Sequence, residues 1–233
     1  MNISFILNIV NPKILKTLLL FWGLATSVLA QQVIERPQLF KRPSPYERYT
    51  TYRVSFTGGL AMPMGTFKEY MNQSTLRNYG LAMDFVFPQN NLSVGLSAGS
   101  TYFKHRLPRE VQVFEDGAIS AVQTRTFSAT PILLTGSYHL AKVNAPVRPY
   151  VQVGAGAAFA NLINYYGSLP TGTDGFKLVG QVGAGVRIQP KKEGKLGFEA
   201  SANYQYLPFQ WESEGISDAS TLQIRAGIFY RWW

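Results

Sequence analysis

From Tyr52 onward the chain alternates large apolar residues with small or polar ones at a period of two. Tyr52, Val54, Phe56, Leu60 and Met62 form one set; Arg53, Ser55, Thr57, Gly59 and Ala61 form the other. Successive side chains of a strand point to opposite faces, so each set belongs to one face. The pattern recurs in seven further runs, beginning near Tyr79, Leu92, Ile132, Tyr150, Lys177, Leu196 and Thr221. Each run has about 9–13 residues, close to the ~9–11 that a tilted strand needs to cross a bilayer. The small set is mostly Gly, Ala, Ser and Thr with a few charges. Turned to water it would make a poor surface. Turned inward it suits an eight-stranded barrel, whose interior is just wide enough for side chains. The large set then faces lipid. A soluble lipocalin-like barrel would need the opposite arrangement.

The connections alternate as well. Residues 63–78, 104–124, 165–174 and 208–218 are longer, whereas 88–91, 141–145 and 190–194 are short. Outer-membrane barrels have short periplasmic turns and longer external loops, and an even strand number returns both termini to the periplasm. The expected fold is all-β: an eight-stranded antiparallel up-and-down transmembrane β-barrel over residues 52–233.

The N-terminus adds a destination. Lys13 and Lys16 precede the apolar stretch 18–25, and the compact residues Val28 and Ala30 precede Gln31-Gln32. This predicts a secretory signal peptide over residues 1–30, cut between Ala30 and Gln31. After Ala30 no run of about 18 apolar residues exists, so no membrane helix is expected. Residues 31–51 carry Pro37, Pro43 and Pro45 among Arg36, Lys41, Arg42 and Arg48. Proline at that density resists helix and sheet, so an extended periplasmic tail is expected. The absence of cysteine excludes a lipoprotein anchor, a disulfide scaffold, a zinc-thiolate site and a cysteine nucleophile.

Charged residues make up only 15% and aromatics 14%, a balance that favours a β-rich membrane protein. The net charge is +9. Secretion, and the lack of a basic stripe with interleaved aromatics, argue against nucleic acid. The basic excess lies in the tail and the short turns, with Lys142, Arg148, Lys191, Lys192 and Lys195. It is expected to face the periplasm, chiefly as a solvated surface, the alternative being that acidic partners or anionic headgroups meet it. The last external loop is acidic, with Glu212, Glu214 and Asp218.

Four segments carry a resemblance. Residues 59–67, with Gly59, Pro63, Gly65 and Phe67, resemble the strand-one exit of the outer membrane protein beta-barrel families. Residues 148–156 resemble their recurring Pro-Tyr-x-x-x-Gly-x-Gly strand, and 183–186 and 226–231 resemble later strands. The small barrel of the OmpA transmembrane domain is similar in shape, as are PorT-like barrels. The resemblance implies an architecture and no single activity. A peptidoglycan-binding domain of the OmpA type is not expected, because the chain stops at the last strand. Tyr230, Trp232 and Trp233 favour the membrane–water interface. They also resemble the C-terminal signal read by the outer-membrane assembly machinery.

Few residues suggest chemistry. The Gly-x-Gly stretches 154–156 and 183–185 lie within strands and lack a third glycine, so a dinucleotide site is unsupported. His105 and His139 have no clustered ligands, and no metal is expected. Ser137 and His139 share the inner face, the one pair that would suit a lipid A-modifying enzyme. No catalytic, cofactor-binding or metal residue is assigned. The charges on the small-residue face are Arg53, Asp84, Arg187, Glu199, Arg225 and Arg231. Buried charges are costly unless paired. An interior ion-pair network of Arg187, Glu199 and Arg225, joined by Asp84, is therefore expected. Such a network would plug the lumen.

The expected function is that of an integral outer-membrane protein with a structural or interaction role. Its partners would be outer-membrane lipid, lipopolysaccharide and the assembly machinery. One alternative is a subunit of a larger envelope or secretion complex that docks through its periplasmic tail. A lipid A-modifying enzyme is disfavoured.

Overall fold

The computed structural model describes residues 43–114, 117–191, 193–209 and 216–233. The signal peptide with its Ala30–Gln31 cleavage site, tail residues 31–42, Lys192, Glu212 and Glu214 lie outside the described residues.

Eight strands form a closed ring: β1 (Thr51–Pro63), β2 (Thr75–Phe87), β3 (Leu92–Phe114), β4 (Gly117–His139), β5 (Val147–Tyr166), β6 (Leu169–Ile188), β7 (Leu196–Tyr206) and β8 (Thr221–Trp232). Each pairs antiparallel with the next, and β8 closes on β1 from Tyr52↔Trp232 to Pro63↔Thr221. The architecture is the up-and-down barrel that the period-two pattern predicts.

The faces sort by size as expected. Outside lie Phe56, Leu81, Phe85, Leu96, Ile132, Leu134, Val153, Leu178, Phe198 and Ile228, all exposed. Inside lie Arg53, Ser55, Asp84, Ser93, Thr135, Ser137, Gln181 and Asn203, all buried. Leaving a Leu or Phe in water forfeits about 1.5–3 kcal/mol relative to burial. A continuous outer apolar surface of this kind is a lipid-facing one. No helix among the described residues is long and apolar enough to cross a membrane; the strands cross.

Three expectations need correction. Residues 104–124 are not a loop: β3 and β4 continue as a hairpin to the pair Phe114↔Gly117. Residues 165–174 are likewise mostly strand, since β5 and β6 pair out to Tyr166↔Leu169 around a turn at Gly167. Charges such as Lys104 and Arg106 suggested a loop. They stand exposed on the outward face of a hairpin, where water solvates them and cross-strand bonding continues. The tail, finally, is not extended to its end. Pro45–Arg48 forms one helical turn, α1, with Pro at its first positions, where the missing N–H costs nothing. The Ser44 backbone N–H donates to Glu47 Oε2 at 2.9 Å and helps close this turn.

The β1–β2 connection contains a second short helix, α2 (Thr66–Tyr70). Gly65 starts it with φ of 59°, a left-handed conformation that glycine adopts without strain. Thr66 Oγ1 donates to Asp218 Oδ1 at 2.7 Å and Ser220 Oγ donates to Oδ2 at 2.5 Å. These bonds tie the first long connection to the last. Burial by itself would raise the Asp218 pKa, but the hydrogen bonds from Ser220, Thr66 and Ser217 outweigh it and hold the carboxyl below its ordinary value.

Candidate functional site

The lumen receives the charges of the small-residue face, Arg53, Asp84, Arg187 and Glu199, and it is built in layers. At the long-connection end, α2 turns Phe67, Tyr70 and Met71 into the barrel. They join Phe103, Phe127, Leu162, Leu207 and Phe209 in one apolar cluster. Phe67 packs edge-on against Phe127 at 4.8 Å and against Phe103 at 5.5 Å between ring centroids. Phe209 meets Phe127 at 5.9 Å. Aromatic edges of this kind add to simple burial. The first long connection, expected as an external loop, is thus a roof.

Below the roof the lining becomes polar. Gln223 Nε2 donates to Gln205 Oε1 at 2.8 Å, and Thr101 Oγ1 donates to Asn78 Oδ1 at 3.2 Å. Gln152 Nε2 donates to Asn203 Oδ1 at 2.9 Å. A cavity of about 40 Å³ lies in this middle zone, next to Arg225, Gln181 and Glu199.

The ionic layer follows. Arg53 and Asp84 form an ion pair across the β1–β2 register, where they face each other directly. Arg187 Nη2 lies 3.3 Å from Glu199 Oε1 and 4.0 Å from Asp84 Oδ2. Arg187 and Glu199 are likewise register partners on β6 and β7. Tyr150 donates its hydroxyl to Glu199 Oε1 at 2.5 Å, and the Arg187 guanidinium lies 3.9 Å over the Tyr150 ring. His139 Nε2 sits 3.0 Å from Arg187 Nη1 and 3.1 Å from Ser93 Oγ.

The floor is aromatic and basic. Tyr46 of α1 is fully buried and meets Trp233 edge-on at 5.0 Å. The Arg231 guanidinium lies 3.8 Å over the Tyr46 ring. Trp232 turns the other way and stacks on Tyr52, and Tyr230 faces outward.

The structure gathers Asp84, Arg187 and Glu199 into one cluster, and adds Arg53 as the direct partner of Asp84. Arg225 is not among the ion pairs of the described residues. The β7–β8 register sets Arg225 opposite Ser201, while Glu199 faces Gly227. Glu199 is already engaged by Tyr150 and Arg187. The Arg225 guanidinium instead lies over Gly80, where a Cβ would come within 2.4 Å of Nη1. Ser137 and His139 are both buried in the lumen, but the hydroxyl beside His139 belongs to Ser93.

Two residues of the site escaped the sequence reading. Arg148, expected among the basic charges of the short turns, is only 5% exposed and lines the barrel interior. Its place on the even-numbered inner face of β5, with Tyr150 and Gln152, was a usable signal. Tyr46 had no signal at all, because its burial depends on Trp233 and Arg231, far away in sequence. Among the described residues no cluster of His, Cys, Asp or Glu is placed to hold a metal.

No protein-family model matches the sequence, and no curated protein matches it. Solved structures do. A major outer membrane protein from Thermus thermophilus aligns with a TM-score of 0.52 at 14% identity, over 79% of this chain and 100% of that one. The Neisserial surface protein A aligns at 0.45 and 10% identity, over 78% and 97% of the two chains. The N-terminal β-barrel domain of Pseudomonas aeruginosa OprF aligns at 0.43 and 16% identity, with the same coverage. With its closed eight-strand ring, its apolar outer face and its likeness to the Thermus protein, the chain has the fold of the small outer-membrane β-barrels.

Proposed function

We propose that this protein is a non-conducting outer-membrane barrel with a structural or interaction role, not a diffusion pore and not an enzyme. The observation that carries the reading is the obstructed lumen. The aromatic roof, the Arg53–Asp84 and Arg187–Glu199 pairs and the Tyr46–Trp233 floor succeed one another along it. Two cavities between them, of about 20 and 40 Å³, hold a few water-sized particles at most. In this reading the short turns, α1 and both chain ends face the periplasm. The β3–β4 and β5–β6 hairpins face outward and meet lipopolysaccharide or an external partner. The enclosure of His139 and Ser137 in the lumen, away from the lipid face, argues against action on lipid A. Liposomes carrying the full-length mature protein should not swell in isotonic glycine or arabinose. Swelling at a porin-like rate would overturn the proposal.

A second reading makes the chain a subunit of an envelope complex, docked through residues 31–42. The clamp of Tyr46 under Trp233 favours it, because it anchors the chain a few residues after that segment. A pull-down from envelope extracts should recover a specific partner with the full mature chain and lose it when residues 31–42 are deleted. An unchanged set of partners would remove this reading.

A further inference from the structure

The short-turn end of the lumen holds a second cavity, of about 20 Å³. Thr51, Arg53, Arg148, Arg187, Gln189 and Arg231 line it, and no carboxylate does. Four arginines therefore line one small space, with the Arg231 guanidinium engaged on the Tyr46 ring. The carboxylates nearby do not line it: Asp84 pairs with Arg53, and Glu199 Oε1 accepts from Tyr150 and Arg187, while Glu199 Oε2 has no partner among the described residues. Four side-chain atoms of these lining residues have no hydrogen-bond partner among the described residues: Thr51 Oγ1, Arg53 Nε, Arg148 Nη2 and Arg187 Nε. All four residues are buried, none more than 5% exposed. Among the described residues Arg148 is held only by a long hydrogen bond from Nε to the Ala141 carbonyl, at 3.4 Å.

Unsatisfied buried donors cost free energy, and donors that carry charge cost more. Like charges brought together in a dry space add repulsion, and Arg148, which alone of Arg53, Arg148 and Arg187 has no carboxylate partner among the described residues, is a buried charge left uncompensated. A neutral water would satisfy some donors and leave the charge. A carboxylate-bearing molecule is too large. One water-sized particle needs about 10–15 Å³ of such volume, so the space suits a single monatomic ion.

We infer that this cavity binds one halide-class anion, chloride in the natural setting, between Arg148, Arg53, Arg187 and Thr51. The anion balances the charge of Arg148 and accepts from its outer nitrogen Nη2, which has no partner among the described residues. It is a binding site separate from the lipid-facing surface and from the outward hairpins.

The test uses the full-length mature protein, folded in a nonionic maltoside detergent. The midpoint of heat-modifiable gel mobility is measured in sodium chloride, sodium bromide, sodium sulfate and sodium gluconate at equal ionic strength. Chloride and bromide at about tenfold over their dissociation constant should raise the midpoint above gluconate by roughly 3–5 °C. Arg148→Met should abolish the difference between chloride and gluconate. If that variant does not fold, Thr51→Val serves, and a bromide-soaked crystal of the unaltered protein should give an anomalous peak within hydrogen-bond distance of Arg148. Equal midpoints in chloride and gluconate would overturn the inference. So would stabilisation by sulfate alone, an undiminished chloride effect in the variant, or an empty cavity in the bromide crystal.

Discussion

Gly227→Ala should abolish the heat-modifiable barrel, whereas Gly136→Ala should be silent. Gly227 faces Thr57 where β8 closes on β1. A Cβ there would lie 1.9 Å from the Phe56 carbonyl oxygen and 2.7 Å from the Thr57 Cα. Both are backbone atoms of the neighbouring strand, so no side-chain rotation relieves the clash. The strands must separate at the seam that closes the ring. Overpacked cores typically lose about 1–3 kcal/mol and sometimes more. Here the obstruction is rigid, and a loss above about 4 kcal/mol is expected, in the exceptional range for one substitution. Gly136 also sits within a strand, yet a Cβ there would meet nothing within 4 Å. The same methyl should change stability there by less than about 0.5 kcal/mol. Gel mobility before and after heating reads both variants. A Gly227→Ala protein that melts with the unaltered one would show that the barrel closes differently.

Glu199→Leu should lower the unfolding midpoint by roughly 10 °C. Removing one member of a buried pair costs about 3–5 kcal/mol, because the other charge is left uncompensated, and each kcal/mol moves the midpoint of a chain this size by about 2–4 °C. Glu199 receives both the Arg187 guanidinium and the Tyr150 hydroxyl. Its loss strands Arg187 beside Asp84, which Arg53 already occupies. The double variant Arg187→Met with Glu199→Leu should recover part of the loss, since it removes the stranded charge. Full stability in the single variant would mean that water or another group replaces the carboxylate. Arg225→Met is a useful contrast, because Arg225 makes no ion pair among the described residues and should cost less than Glu199→Leu.

The β3–β4 and β5–β6 hairpins extend the wall at one end of the ring. β3 pairs with β2 only to Thr101, and β6 pairs with β7 only from Gly180. Beyond those points β3 to β6 continue together as a four-stranded extension of the ring. The hairpin turns stay short while the strands grow long. Extra length here costs little loop-closure entropy, because cross-strand bonds form as the chain extends.

The sequence by itself determined which residues face lipid and which face the lumen. A strand has a period of exactly two, and the alternation Tyr79-Gly80-Leu81-Ala82-Met83-Asp84 leaves one workable orientation. Strand number and antiparallel order followed from counting those runs. That Asp84, Arg187 and Glu199 lie inside was legible from the same pattern. Which charge meets which was decided only by tertiary register. Arg53 finds Asp84, and Arg187 finds Glu199, because they are directly opposite on adjacent strands, whereas Arg225 is offset from Glu199 by one inward step. The roof and floor depended on tertiary structure for another reason. Phe67, Phe209 and Tyr46 lie outside the strands, where no periodicity assigns a side, and only partners distant in sequence make their burial favourable. Local pattern sets the wall of a barrel; long-range contacts decide how its interior is filled.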